Sequence, residues 1–408
     1  MKQRINKSWG LNTLFVHGSR HHVHRGTQGM PTVQPIYAST TYLHENAQAL
    51  DKAFDTTPTY EENLAFVYAR QGNPNAHALE SVMTQAEGGT GAIVCGSGMA
   101  AIHTALLAAG LTSGSKLVAA KDLYGATINL LRQVFMPLGV EVVMGDLYGE
   151  KAKDFICEEQ PDVVFVETVS NPLVKVIDLD AISAAAKEVG AVTVVDSTFA
   201  TPYLVRPLEH GIDLVVHSAT KYLAGHGDST AGVVVSARNS LLDTLRNYAM
   251  LLGATLSPFE SHLVIRGLRT LPLRMERQCS NALQVAQFLS EHPAVARVHY
   301  PGLPEHPQHK LANKLLALGH FGGLLSFELK EQTREAAFRF MDSLQLCLPA
   351  TTLGDVFSLI SYPPISSHRG LTREDLEKMG ITEGCIRLSV GIEDINDIMQ
   401  DLDQALRV

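Results

Sequence analysis

The chain has 408 residues, of which 45% are hydrophobic and 18% charged, so it can form large cores in about two or three domains, and intrinsic disorder is excluded as its main state. The net charge of −9 argues against general binding to nucleic-acid backbones, and no apolar run approaches the ~20 residues of a membrane span. Five scattered cysteines without CxxC or paired spacing are typical of a reducing compartment, and we expect a cytoplasmic protein with no disulfide or zinc framework.

The first part of the chain lacks a regular hydrophobic pattern. Residues 1–60 are irregular, and Gly, Pro, Thr and Tyr are mixed in Pro31–Tyr42. Such a segment is hard to build into a core element, so we expect an N-terminal arm that lies against another surface. We expect a large domain over 61–255 and a small C-terminal domain over 256–408.

Short apolar strands alternate with helices from residue 76 onward. A helix over 76–86 precedes the first strand, and a helix over 99–109 follows it. Strands that are apolar throughout are typical of burial on both faces, and their alternation with helices predicts a doubly wound, mostly parallel sheet. The predicted strands are Ala92–Cys95, Lys116–Ala120, Glu141–Met144, Val163–Val166, Val192–Val195, Leu214–Val216 and Gly232–Val235.

The remainder of the chain predicts a smaller α+β domain. A helical section covers about 238–295, and a strand over 322–329 follows it. A helix over 334–343 and a strand over 386–390 complete the pattern.

Ligands of doubly wound sheets bind beyond the carboxyl ends of the strands, so the residues that follow each strand are the candidates for chemistry. The first strand continues into Gly96-Ser97-Gly98-Met99, where a Gly-rich turn starts a helix. Free backbone N–H groups and the positive helix end suit a phosphate, although small residues in close helix–strand packing give the same pattern. The segment does not fit the dinucleotide pattern GxGxxG.

Two more polar residues follow neighbouring strands. Asp196 comes directly after 192–195 and can bind a metal, orient a base, pair with a cationic ring nitrogen or simply cap a helix. Lys221 follows two hydroxyl residues after 214–216, and a desolvated lysine amine can form a Schiff base with a carbonyl. A phosphate cradle, an acid and a lysine above one sheet edge are together what pyridoxal phosphate requires.

With these motifs, the chain resembles the Cys/Met-metabolism family of pyridoxal-phosphate enzymes, which includes cystathionine γ-synthase, cystathionine lyases, methionine γ-lyase and O-acylhomoserine sulfhydrylases. The resemblance implies the type I fold of the pyridoxal-phosphate-dependent transferases, similar to aspartate aminotransferase, with a large domain around a mostly parallel sheet and a smaller C-terminal α+β domain. Nearly the whole chain is covered, from Val33-Gln34-Pro35-Ile36-Tyr37 to Gly391-Ile392-Glu393-Asp394. The most specific stretches are Val195–Pro202, Ser218-Ala219-Thr220-Lys221-Tyr222 and Gly225-His226-Gly227-Asp228.

The resemblance also implies roles for matching residues around the cofactor. Lys221 would hold the cofactor aldehyde and move protons, and Asp196 would pair with the pyridine nitrogen. Tyr124 would stack on the ring and act as an acid or base; an ordinary core aromatic is the alternative. The implied further cofactor contacts are Gly98, Met99, Thr198, Ser218 and Thr220.

Two arginines complete the implied site. Tyr68 and Arg70 match a motif that reaches the phosphate of the neighbouring subunit, which implies at least a homodimer and favours a homotetramer; an exposed arginine is otherwise solvated surface. Arg387, in an apolar strand, would bind the substrate α-carboxylate with Ser358 and Asn171, and a structural salt bridge is the alternative.

Several departures from the family pattern bear on the substrate. Phe357 stands where many members have an acidic residue that can hold a distal ammonium, so an apolar contact replaces a charge. Ala126, Ser197 and Ala224 are further departures. We therefore expect γ-elimination from a γ-substituted, sulfur-containing or homoserine-derived amino acid, giving a 2-oxo acid and ammonia. γ-Replacement and a γ-substitution enzyme of specialised metabolism are the alternatives.

Two hypotheses from other classes are disfavoured by particular residues. A pyridoxal-phosphate-binding regulator with little turnover would have lost Lys221, Tyr124 or Arg387, and all three are present. A nicotinamide oxidoreductase needs GxGxxG after the first strand and a later acid for the ribose, and the sequence has neither.

Overall fold

The structure is a computed structural model that describes residues 9–19, 31–55 and 65–408, except for the side chains of Asp55 and Leu318. Of the predicted N-terminal arm, residues 1–8, 20–30 and 56–60 lie outside this description. In the part of the chain that is described, no helix is both long and apolar enough to cross a membrane.

The N-terminal segment contains two helices that its sequence pattern did not predict. These are α1 (Leu11–His17) and α2 (Ala47–Asp55). Leu14 and Phe15 of α1 are buried in the main hydrophobic core, so this helix packs against the body of the protein. The expectation of an entirely irregular segment was therefore wrong, because seven residues are too few to show a helical period clearly.

The large sheet has the predicted strands, and several extend by a residue or two beyond their predicted ends. Their valine-rich sequences suit this position, because β-branched side chains pack well on a sheet that is covered on both faces. The strands are β1 (Gly91–Cys95), β2 (Lys116–Ala120), β3 (Glu141–Gly145), β4 (Val163–Glu167), β5 (Val192–Asp196), β6 (Leu214–Ser218) and β7 (Gly232–Ser236).

The strand order is β1-β7-β6-β5-β4-β2-β3. Strand β7 is antiparallel to both of its neighbours, and all other pairs are parallel, as predicted. The carboxyl ends of β4, β5 and β6 therefore lie side by side at one edge. The accompanying helices are α3 (Pro74–Glu87), α4 (Gly98–Ala108), α5 (Gly125–Leu130), α6 (Ala152–Glu159), α7 (Leu179–Val189), α8 (Thr201–Leu204), α9 (Asn239–Leu252), α10 (Pro258–Leu268) and α11 (Leu271–Glu291).

A second sheet of five strands, with the order β10-β11-β12-β9-β8, forms the core of the C-terminal part. Its neighbours are antiparallel except for β10 and β11. The strands are β8 (Val295–His299), β9 (Leu324–Leu329), β10 (Leu348–Pro349), β11 (Leu359–Ser361) and β12 (Cys385–Ser389). The helices are α12 (His309–Leu315), α13 (Arg334–Ser343), α14 (Arg373–Met379) and α15 (Ile395–Leu406).

The C-terminal prediction was correct for its main elements and incomplete for the others. Helix α13 has its predicted bounds, and β9 and β12 lie within a residue or two of theirs. The short strands β10 and β11 were not predicted, because two or three residues carry no periodicity. The domain boundary near residue 255 stays a prediction.

Short turns of other helix types complete the structure. A π-helical turn, Leu131–Phe135, directly follows α5. The 3-10 helices are Met136–Leu138, Pro207–His210, Ala317–Gly319 and Pro363–Ile365.

Candidate active site

A cavity of about 210 Å³ lies where β4, β5 and β6 end. It is closed on the other side by the segment around Leu353 and by β12 of the second sheet. Ten of the residues predicted from the sequence line this cavity: Gly98, Met99, Tyr124, Asn171, Asp196, Thr198, Ser218, Thr220, Lys221 and Arg387.

One end of the cavity is formed by the start of α4. Ser97 caps this helix, because its side chain accepts a hydrogen bond from the backbone N–H of Ala100 at 3.1 Å. The next backbone N–H groups, from Gly98 and Met99, belong to the first turn of the helix, where they have no partner within it. A Cβ at Gly98 would lie 2.6 Å from the Cβ of Ser218, so only glycine lets the helix start approach β6. This end suits a phosphate group.

The acid at the end of β5 is fixed by Thr198. Oδ1 of Asp196 accepts hydrogen bonds from the backbone N–H of Thr198 at 2.9 Å and from its hydroxyl. The same hydroxyl accepts the backbone N–H of Ser218 at 2.8 Å and so ties the end of β5 to β6. Burial raises the pKa of Asp196, and the hydrogen bonds from Thr198 oppose this rise. A cation beside Asp196 would favour its ionised form.

The amine of Lys221 lies in the same cavity and donates a hydrogen bond to Oγ1 of Thr352 at 2.8 Å. Burial lowers the pKa of Lys221 to about 8, and the nearby positive charge of Arg387 adds to this effect. A substantial neutral fraction near physiological pH makes this amine a nucleophile and a base.

Arg387 projects from β12 and is only 2% exposed. Its Nη1 donates to Oδ1 of Asn171 at 3.1 Å, and its Nη2 donates to the carbonyl oxygen of Thr352 at 3.3 Å. Among the described residues, Arg387 forms no ion pair with a carboxylate, so the alternative of a structural salt bridge is not supported. A buried guanidinium with a carbonyl, an amide and no anion is suited to bind an anionic ligand.

The phenol ring of Tyr124 is held in place through its backbone. Tyr124 is the N-cap residue of α5, and its backbone N–H donates to Oε1 of Glu167 at 2.7 Å. The next residue, Gly125, has no room for a Cβ, which would lie 2.3 Å from the carbonyl oxygen of Ser367. The ring itself is 39% exposed, so it is not an ordinary core aromatic.

Four predicted site residues do not line this cavity in the single chain. Tyr68 and Arg70 line a second cavity, where Arg70 donates to the carbonyl oxygen of Met250 at 2.9 Å. Ser358 is buried, and its hydroxyl donates to Glu393 at 2.9 Å. Phe357 is 51% exposed. The roles of these four residues stay predictions, and the contacts of Ser358 give no support to a direct role in binding substrate.

The structure adds residues that sequence reasoning missed. Thr352 contacts both Lys221 and Arg387, but it lies in an irregular segment that gave no signal of its own. Glu167 lines the cavity at the end of β4. It carries the same signal that singled out Asp196, an acid directly after a buried strand, so the sequence could have identified it.

The three smaller departures from the family pattern lie outside the cavity lining. Ser197 and Ala224 are fully buried, and the hydroxyl of Thr168 donates to that of Ser197 at 3.0 Å. Ala126 is partly buried within α5. In the single chain these residues affect packing around the site rather than its surface.

Comparisons with known proteins agree with this geometry. A family model described as Cys/Met metabolism PLP-dependent enzyme matches residues 12–407. The L-methionine gamma-lyase of Fusobacterium nucleatum is 40% identical over 403 residues, 98% of each protein. The cystathionine beta-lyase of Lactococcus lactis subsp. cremoris is 40% identical over 372 residues, 91% of this chain and 93% of that protein.

A similar solved structure is that of cystathionine gamma synthase from Xanthomonas oryzae pv. oryzae in complex with aminoacrylate and cysteine. It matches with a TM-score of 0.88 and 35% identity, over 98% of each chain. The predicted fold, a large domain with a mostly parallel sheet and a smaller α+β domain, is thereby confirmed.

The environment of Lys221 leads to a prediction for the cofactor-free chain. Labelling of Lys221 by an amine-selective reagent should rise with pH around a midpoint of about 8. In Arg387→Met the midpoint should move upward, because the neighbouring positive charge is removed while burial remains. Peptide mass spectrometry at each pH measures this, with the exposed Lys314 as the reference for total labelling. An unchanged midpoint in Arg387→Met would show that Arg387 does not influence the amine.

Proposed function

Since the chain belongs to the Cys/Met metabolism PLP-dependent enzyme family, we propose that it is a lyase acting on a γ-substituted amino acid whose side chain carries no charge. The family, pyridoxal phosphate as cofactor and an activity of the γ-elimination or γ-replacement class are as predicted. Within this class, we propose elimination that gives a 2-oxo acid and ammonia, with methionine, homocysteine or an activated homoserine as substrate.

The charge of the cavity wall carries this proposal. Among the described residues that line it, the acidic ones are Asp196 and Glu167, which end adjacent strands of the large sheet. The other lining side chains are apolar or neutral except for Lys221 and Arg387. The cavity wall has no further carboxylate to pair with a distal ammonium such as that of cystathionine, so burying this charge would cost free energy. Burying an uncharged thioether would not have this cost. Phe357 lies outside this wall in the single chain, and in place of an acid it adds no negative charge that could bind an ammonium.

The residues of the cavity fit pyridoxal phosphate. We place its phosphate at the start of α4, because the cradle at Gly98 leaves no room for a Cβ and presents free N–H groups. Asp196 would face the pyridine nitrogen, and Lys221 would hold the aldehyde carbon. When bound, the cofactor withdraws the electron pair that a departing Cα proton leaves behind.

Side chains of the protein would bind the substrate and transfer the protons. Arg387 and Asn171 would bind the α-carboxylate and fix which bond at Cα lies next to Lys221. Nζ of Lys221, with its lowered pKa, would take the Cα proton and return it elsewhere on the bound molecule. The hydroxyl of Tyr124 would donate a proton to the leaving γ-substituent. We assign to Thr352 the task of holding the amine of Lys221 in place.

γ-Replacement is the second candidate, favoured by the similarity to the cystathionine gamma synthase structure. It differs from elimination in the group that captures the common intermediate, an acceptor thiol instead of water. The cavity lining does not distinguish these two outcomes, so the experiment must include acceptors.

We also propose a homodimer as the minimum unit and a homotetramer as the final assembly. Arg70 and Tyr68 lie outside the cavity of their own chain, where they would be available to the site of a second copy. All five cysteines are free thiols, and four of them are buried, which supports a reducing compartment such as the cytoplasm.

A panel of γ-substituted amino acids tests the proposed reaction. Methionine, homocysteine and O-acetylhomoserine should give 2-oxobutyrate and ammonia, with kcat/KM at least ~10-fold above that for cystathionine, because an unpaired buried ammonium costs upwards of ~1.4 kcal/mol. Parallel reactions with an added thiol measure replacement. Faster turnover of cystathionine, with pyruvate as the product, would contradict the proposal and indicate β-elimination.

Lys221 should become covalently linked to the cofactor on reduction. Borohydride treatment of the purified, yellow protein should leave the pyridoxyl group on the peptide that contains Lys221, and Lys221→Ala should abolish this adduct. The control is Lys314→Ala, which removes an exposed lysine and should leave the adduct intact. An adduct that persists in Lys221→Ala would place the cofactor elsewhere.

Sharing of the site between subunits can be tested by complementation. A heterodimer of Arg70→Ala and Lys221→Ala chains should regain roughly half of the wild-type activity per dimer, because one of its two sites has both residues. The control heterodimer pairs a wild-type chain with a chain that carries both substitutions, and neither of its sites is complete. Equal activities of the two heterodimers would exclude a contribution of Arg70 across subunits.

A further inference from the structure

Two carboxyl groups lie side by side at the edge of the large sheet. Glu167 ends β4 and Asp196 ends β5, and the two residues are register partners in the parallel pair. Partners in adjacent strands are about 5 Å apart, and their side chains point to the same face of the sheet. Both line the cavity, and Glu167 is only 4% exposed.

Among the residues that the structure describes, none forms an ion pair with the carboxyl group of Glu167. A further acid that acts on Glu167 is Asp122, which is paired with Lys175 at 2.8 Å. The hydroxyl of Tyr148 donates to the backbone carbonyl of Glu167 and not to its side chain. In the described part of the chain, no ion pair involves Glu167, so a charge on this group would be buried beside a second negative charge.

Two adjacent buried carboxyl groups do not both ionise, and the charges beside each group decide which one keeps the proton. Each carboxyl group accepts two hydrogen bonds that favour its charged form, Asp196 from Thr198 and Glu167 from two backbone N–H groups, so these bonds do not separate the two groups. A pyridinium ion beside Asp196 would favour a charge on Asp196 alone. Burial raises the pKa of Glu167 well above its usual range, and the neighbouring Asp196 raises it further. The proton therefore belongs on Glu167.

Glu167 also has a defined set of partners. Its Oε1 accepts the backbone N–H of Tyr124 at 2.7 Å, and its side chain accepts the backbone N–H of Asn171. Tyr124 is the proposed acid of the reaction, and Asn171 holds Arg387. One side chain thus fixes the backbone at both ends of the proposed substrate position.

We propose that Glu167 is a positioning residue that works as a neutral acid, holding Tyr124 and Asn171 without placing a second negative charge beside Asp196. The inference rests on the proposed function, in which the pyridine nitrogen of the cofactor would face Asp196. A neutral Glu167 can lie beside Asp196 without weakening the pairing of Asp196 with the cofactor ring.

The test compares Glu167→Gln with Glu167→Ala in the full-length protein. Glutamine is neutral and keeps an oxygen that accepts the N–H of Tyr124, so cofactor retention on dialysis and the absorbance spectrum should remain those of the wild type. In Glu167→Ala the backbone supports are lost, and kcat should fall ~100-fold with a smaller change in KM. The kcat of Glu167→Gln should stay much closer to the wild-type value than that of Glu167→Ala. A Glu167→Gln protein that loses cofactor and kcat like Glu167→Ala would overturn the proposal.

Thermal unfolding of the cofactor-free chain provides a readout without activity. Because the folded state favours protonated Glu167, the contribution of this group to the stability of the wild type falls as pH rises from the usual range of a glutamate towards the raised pKa. Glutamine does not ionise, so Glu167→Gln does not lose stability in this way. The difference between its unfolding temperature and that of the wild type should therefore increase between about pH 5 and pH 8. A relative midpoint that decreases with pH would show that Glu167 acts as an anion.

Asp196→Asn separates this inference from the proposed function. Loss of cofactor or of activity in Asp196→Asn supports the assumed position of the ring, and the comparison at Glu167 then decides the inference. If Asp196→Asn leaves cofactor and activity intact, the position of the ring is wrong, and the reasoning for a neutral Glu167 in the loaded enzyme is overturned with it. The unfolding measurement still reports on the charge of Glu167 in that case.

Discussion

The buried guanidinium of Arg387 is the group on which the arrangement of the cavity depends. It reaches from the small sheet to Asn171, in the segment that follows β4 of the large sheet, and to Thr352, whose hydroxyl accepts a hydrogen bond from Lys221. A buried cation is stable only where polar partners surround it, so its position determines how the two sheets meet. The same charge helps to keep the amine of Lys221 partly neutral. One side chain therefore links the geometry of the site to its reactivity.

The strand ends show how far the sequence could predict this site. Asp196 and Lys221 were recognised because each follows a valine-rich strand, and in a parallel sheet such ends meet at one edge. Gly98 was recognised from a glycine-rich turn before a helix. These signals are local, since the strand and the functional residue are contiguous, and the resemblance to a family assigned a role to each of them.

Residues outside such patterns could not be predicted in this way. Thr352 lies in an irregular segment, and its position is set by contacts with Lys221 and Arg387 that are far away in the chain. Ser358, six residues later, was expected to have a similar role, but the turn between them directs its hydroxyl to Glu393. A single short motif does not specify which of two nearby hydroxyl residues lies beside Lys221 and Arg387, because this depends on the packing of the whole second sheet.

The low basicity of Lys221 has a consequence for how the newly folded chain acquires its cofactor. An amine that is partly unprotonated near neutral pH reacts with any small aldehyde that enters the cavity, including products of sugar breakdown. Aldehydes that lack a phosphate group would gain nothing from the free N–H groups at the start of α4. With the phosphate placed as proposed, the helix end would act as a filter during maturation: reversible adducts of unphosphorylated aldehydes would dissociate, while the phosphorylated cofactor would be retained.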